Sequence, residues 1–283
     1  MNEAVIGISS KPAFLSRIWQ HPFIRAVVGV VLTFAPLPLV MILAHALVPK
    51  PFRVIWPQLL AAALSFLAYR FFAHRIEKRA LTEFDTRGAM REAILGLPLG
   101  AGLVCAVFAL LGLFGVYHLN GLNAVSLDLV RPIAELLLVG LTEEMIFRGI
   151  VFRIADESLG RRWAIMISAL VFTAAHLPNE GISLVPIAAL AAYGVMQAAI
   201  YIRTRRLWLC IANHFAWNYC VGQVFSATVS GHGAESGLLH GQLSGPALLT
   251  GGVYGVEGSV VTLAVIGVAA TCFLLSARTQ TKR

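Results

Sequence analysis

From Phe23 onward the chain is a succession of continuously apolar stretches, several of them about 20 residues long, the length a helix needs to cross a hydrocarbon core of roughly 30 Å. No alternation of period two runs through them, so helices rather than a lipid-facing barrel are implied. Hydrophobic residues make up 58% of the chain, charged residues 13%, and the mean hydropathy is +0.78. Soluble domains carry about 25% charged residues. The expected fold is therefore all-α: a polytopic bundle of membrane helices.

Eight spans are read, over residues 23–47, 54–72, 91–118, 130–153, 163–177, 184–202, 207–228 and 253–275. The fifth is short and needs the support of its neighbours or a thinned bilayer. Pro36 and Pro38 should kink the first. An N-terminus inside the cell puts Lys11, Arg17, Arg75, Lys78, Arg79, Arg87, Arg161, Arg162, Arg203, Arg205, Arg206, Arg278, Lys282 and Arg283 in the cytoplasm. Lys50 and Arg53 are then outside, with Arg131 near that interface. Cytoplasmic loops carry the excess of Lys and Arg, so both termini are expected inside, which requires an even number of spans. The net charge of +8 is accounted for in this way and does not call for nucleic acid.

The organisation expected is a cytoplasmic segment over residues 1–22, one multi-pass domain over 23–277 in the cell (inner or plasma) membrane, and a cytoplasmic tail over 278–283. Residues 74–92 are densely charged around Leu81 and Phe84 and read as an amphipathic helix on the cytoplasmic surface, or as a solvated connector. Residues 226–252, rich in Gly and Ser with His232 and His240, read as a flexible external loop. Cys105, Cys210, Cys220 and Cys272 show no CxxC pairing and serve as small apolar fillers.

Against this background the run 136–148 stands apart, because it places Glu143, Glu144 and Arg148 inside a membrane span. A charge near the bilayer centre costs roughly 2.5–3.5 kcal/mol or more, so such residues are rare and usually functional. Glu144 and Arg148 are four apart, on one helix face, and can pair; Glu143 lies about 100° round the helix and need not share that partner. Phe172 and His176, then His214 and Asn218, repeat the spacing of four on two later spans. At a rise of 1.5 Å per residue, Glu143, His176, His214 and Asn218 fall about 15, 20, 10 and 16 Å from the cytoplasmic ends of their spans. Four polar groups from three spans thus share one layer. Taken singly each has a plainer reading: a packing ion pair, a histidine bonded to a carbonyl, an asparagine joining helices. Glu135, near the outer interface, reads as structural.

Thr142-Glu-Glu-Met-Ile-Phe-Arg148, Phe172-Thr-Ala-Ala-His176 and Asn213-His-Phe-Ala-Trp-Asn218 resemble the three motifs of the CPBP family, the CAAX-protease and bacteriocin-processing (Abi) intramembrane proteases. The family pattern is Glu-Glu-x-x-x-Arg, Phe-x-x-x-His and His-x-x-x-Asn, and all three occur here in order. The resemblance covers roughly residues 132–223, within a core of about 130–228. It implies eight membrane helices around a water-filled cavity. It makes Glu143 the catalytic carboxylate and His176 its partner in activating water. His214 and Asn218 would stabilise the oxyanion, with Glu144, Arg148 and Phe172 supporting the site.

Peptide hydrolysis needs a base for water, a proton for the leaving amine and donors for the oxyanion, and these residue types supply them without a Ser or Cys nucleophile. No cofactor is expected. Zinc is the competing mechanism, since two glutamates and two histidines are adequate ligands, but no His-Glu-x-x-His helix is present. The expected partners are membrane lipids and a peptide or small membrane-protein substrate, either prenylated at its C-terminus or a leader peptide. A non-catalytic scaffold or immunity protein is the first alternative. A proton-coupled transporter is the second; it would show related halves, and none is visible.

Overall fold

Proline sets the shape of the first hairpin in the computed structural model, which describes residues 21–233 and 236–280 apart from the side chains of Asp128 and residues 278–280. The expectations for Lys11, Arg17, Arg278, Lys282 and Arg283 lie outside what is described. Helix α1 (Pro22–Phe34) gives way at Ala35 to α2 (Pro36–Leu47), because Pro36 has no N–H to continue the ladder. Helix α3 (Trp56–Phe71) runs into a π-helical turn, Phe72–Ile76, and α4 (Ala89–Leu113) follows a connector. Helix α5 (Pro132–Glu144) continues through π-helical Met145–Phe152 into α6 (Arg153–Leu159). Then come α7 (Arg161–Ala175), α8 (Leu184–Thr204), α9 (Trp208–Tyr219) with a π extension Cys220–Val224, and α10 (Val260–Gln280).

Five helical stretches among the described residues are long and apolar enough to cross a membrane: Pro22–Leu47, Trp56–Ile76, Ala89–Leu113, Leu184–Thr204 and Val260–Ala277. The other three, over 132–159, α7 and α9, are short or carry the polar motifs. Phe23, Val31, Ile42, Leu67, Phe71 and Leu113 face outward, while Ser65, Ser168, Gln197 and Asn213 are buried. Apolar outside and polar inside suits a chain whose solvent is lipid.

The packing that positions the site is between α4 and α9. A Cβ on Gly100 would lie 2.4 Å from the Asn213 carbonyl oxygen, and one on Gly96 would lie 2.7 Å from that of Leu209. This small-xxx-small pair lets the two backbones touch, as close helix packing in membranes requires. Gly100→Ala should therefore push α9 outward and destabilise by about 1–3 kcal/mol, the usual range for overpacking. Thermal unfolding in detergent would show it as a clear drop in Tm, and an unchanged Tm would mean that the contact is looser than drawn.

Three expectations are corrected. The third span ends at Leu113 rather than 118, and residues 117–122, with His118, form strand β1 (Tyr117–Leu122). That strand pairs antiparallel with β2 (Leu239–Leu243), so the segment 226–252 contributes one strand of a two-stranded sheet to an otherwise helical bundle, instead of being a loop throughout. Residues 74–92 form no amphipathic helix; they make a connector whose Arg75, Lys78, Asp85 and Arg87 are exposed, as the alternative reading had it. What the solvated reading missed is that Glu77, Arg79 and Glu83 turn inward and bind three helices together: Glu77 takes Arg25 Nη2 at 2.6 Å, Arg79 Nε at 2.7 Å and Arg153 Nη2 at 2.5 Å. Glu83 takes Arg79 at 2.7 Å and the Tyr69 hydroxyl. Burial opposes the ionisation of Glu77, but Arg153, aided by Arg25 and Arg79, outweighs it and holds the carboxyl below its ordinary value. Cation neighbours, not helix periodicity, decide this stretch.

Candidate active site

Glu143 and Glu144 part company at the end of α5, where the α-helix becomes π-helical at Met145. π-helical segments often mark functional sites in helices. Glu144 is fully buried, and its Oε1 collects three donors: Arg148 Nη1 at 3.0 Å, Gln197 Nε2 at 3.0 Å and His214 Nδ1 at 2.8 Å. Arg148 is equally buried; its Nη2 reaches the Gly194 carbonyl at 3.3 Å, and its guanidinium lies 5.1 Å from the Phe172 ring centroid. The charged pair therefore sits behind the site and ties α5 to α8 and α9.

Glu143 points the other way. Its side chain is 27% exposed and opens on a cavity of about 340 Å³, and Oε2 has no hydrogen-bond partner. His176, Phe172, His214 and Asn218 line the same cavity, so the four polar residues expected to share a layer do share a space. His176 is not inside its helix as drawn from sequence. It caps the C-terminal end of α7, which stops at Ala175.

The hydrogen bonds fix which ring nitrogens are free. His176 Nδ1 lies 2.9 Å from the Phe172 carbonyl, which can only accept, so Nδ1 carries the proton and Nε2 is left as a free acceptor. His214 Nδ1 donates to Glu144, which directs Nε2 toward Glu143 Oε2 at 3.8 Å. A donor at His214 Nε2 requires the doubly protonated ring. Aromatic packing holds both imidazoles: Phe172 lies 4.5 Å from the His176 ring and Tyr193 lies 5.6 Å from that of His214, centroid to centroid.

Several residues were missed from sequence. Gln197, in α8, bridges Glu144, the Cys210 carbonyl at 3.1 Å and Asn213 Nδ2 at 3.1 Å. A lone Gln in an otherwise apolar span was the available signal. Glu257 accepts from Trp217 Nε1 at 2.6 Å and from Ser230 Oγ at 2.9 Å, and it too lines the cavity. Glu135, read as structural, and His232, read as part of a loose loop, also line the cavity. Among the described residues no group of three or more His, Cys, Asp and Glu is placed to hold a metal ion.

The arrangement is a membrane helix bundle with a carboxylate and two imidazoles on one internal cavity. Residues 125–220, about a third of the chain, match a family model described as Rce1-like, type II CAAX prenyl endopeptidase. All three motifs fall within the match, in agreement with the resemblance they carry. At family level the match supports a CAAX-type intramembrane endopeptidase. No curated protein and no solved structure matches the chain.

Proposed function

We propose that the protein hydrolyses a peptide bond of a membrane-associated substrate through water activated by Glu143 and His176, without a metal. The observation that carries this is the shared cavity of Glu143, His176, His214 and Asn218, drawn from three separate helical segments. Glu143 presents its carboxylate to the cavity and His176 an Nε2, the two acceptors assigned to polarising a water. His214 Nε2, when protonated, and the Asn218 amide are the donors assigned to the developing oxyanion. Glu144 and Arg148 position His214 and are not assigned contact with substrate. The reading takes the eight helical segments as spans, with both termini inside a cell membrane, as the charge asymmetry of the loops favours.

Comparing membrane-peptide termini by mass spectrometry, in cells holding matched levels of wild type or His176→Ala, tests the reading. New termini should appear with wild type alone. Identical termini, with both proteins folded and abundant, would favour a scaffold that acts by binding.

A further inference from the structure

We propose that a second cavity, at the end of α3 away from the Glu77 cluster, holds the phosphate of an anionic phospholipid whose headgroup carries hydroxyls, as phosphatidylglycerol does. The site is separate from the candidate active site and stands whether or not Glu143 is catalytic. The cavity measures about 590 Å³ and is lined from α2, the turn that follows it, the start of α3 and the residue before α5. Its charged lining is Lys50, Arg53 and Arg131, with His45 beside them, and among the described residues no Asp or Glu lines it. Glu135, one turn after Arg131, lines the other cavity instead. In the orientation that the loop charges favour, these cations are the exceptions left on the outer side.

Local sequence builds the cluster. Pro49 is extended, and Lys50–Phe52 makes one 3₁₀ turn that Arg53 closes by donating its N–H to the Lys50 carbonyl at 3.1 Å. Side chains three apart on such a turn share a face, which brings Lys50 and Arg53 together. Among the described residues neither forms an ion pair, so the turn holds two cations side by side without a counter-charge of their own. Arg53 Nε is buried with no acceptor, and Gln58 Oε1 is buried with no donor. Leaving such groups unmade is costly, and a phosphate ester bearing hydroxyls supplies what each lacks. No side chain caps the start of α3, so the positive end of its dipole adds to the same field. His45 Nδ1 donates to the Met41 carbonyl at 2.9 Å, which leaves Nε2 as an acceptor for a second hydroxyl.

The surroundings select a lipid over a small anion. The cavity lies where the stretch Pro22–Leu47 ends and Trp56–Ile76 begins, which is headgroup level if both cross the membrane. Leu47, Phe52, Val54 and Trp56 are exposed on and beside the turn and offer an apolar surface to acyl chains. Inorganic phosphate has nothing to place there. An ethanolamine headgroup would bring its ammonium against Lys50, Arg53 and Arg131, whereas glycerol brings only hydroxyls.

The experiment titrates phosphatidylglycerol carrying a fluorophore on one acyl chain against the purified full-length chain in neutral detergent, at constant ionic strength, with anisotropy as the readout. Binding should saturate, and phosphatidylethanolamine with the same label should bind about tenfold more weakly. Lys50→Gln with Arg53→Gln should weaken phosphatidylglycerol binding about tenfold. Lys50→Gln alone, at an exposed side chain, should give a smaller loss in the same direction, and it keeps the test open if the paired variant does not fold. Arg75→Gln with Lys78→Gln, at the other end of α3, should leave the affinity unchanged. Inorganic phosphate should displace little of the lipid. Equal binding of the two lipids, equal losses from the two paired variants, or no loss in Lys50→Gln would overturn the proposal. Full displacement by inorganic phosphate would overturn the lipid assignment and give the cavity to the free anion.

Discussion

Glu143→Gln is expected to abolish measurable peptide turnover while leaving the thermal stability of the protein unchanged. The two halves of that expectation come from different features. Glutamine keeps the size of the side chain and removes the charge and basicity, so the rate should fall by the 10²–10⁴ that a positioned general base contributes, or more if the carboxylate also returns the proton to the leaving amine. Stability should hold because no donor depends on Glu143 for satisfaction. Its Oε2 is unbonded, its side chain faces the cavity, and His214 is held by Glu144 through the opposite ring nitrogen. Turnover and Tm measured on the same purified samples separate the cases. A rate equal to wild type would remove Glu143 from the chemistry, and a large fall in Tm would mean that it holds the fold.

The contrast between the two neighbouring glutamates also marks what a sequence of this kind reveals. Helical periodicity was enough to separate Glu143 from Glu144 and to pair Glu144 with Arg148, because a spacing of four survives the change to a π-helix at Met145. Membrane cost singled out these charges, and a depth count brought His176, His214 and Asn218 level with them. What no local pattern supplied was the third dimension. Gln197 reaches Glu144 from 53 positions away, and Glu257 reaches Trp217 from 40 positions away. Each looked like an isolated polar residue until the helices packed. The failures share a cause as well. Residues 74–92 alternate charge in a way that suits a surface helix, yet Arg25 and Arg153 from other segments draw Glu77 inward. Likewise β2 has only His240 and Gln242 as polar cues, and its pairing with β1 is set by partners 117 to 126 positions apart, from Leu122 with Leu239 to Tyr117 with Leu243.

Arg148→Ala is expected to cost about 3–5 kcal/mol of stability, the range for removing one partner of a buried ion pair. Arg148 and Glu144 are both fully inaccessible, so water does not screen the charge left behind. Once the guanidinium is gone, Glu144 Oε1 retains the Gln197 amide and the His214 ring, which give hydrogen bonds but only a partial counter-charge. The contact with the Phe172 face is lost at the same time, together with the bond to the Gly194 carbonyl. Arg148→Lys should recover little, since one ammonium does not reproduce the fork between carboxylate and carbonyl or the stack on the ring. The combined change Glu144→Gln with Arg148→Met should recover most of the loss, because it removes the stranded charge rather than a contact. Folded fraction after detergent extraction and Tm for the three variants decide the matter. If the single and the paired changes destabilise equally, packing volume rather than unpaired charge is what Arg148 provides, and its influence on His214 is steric instead of electrostatic.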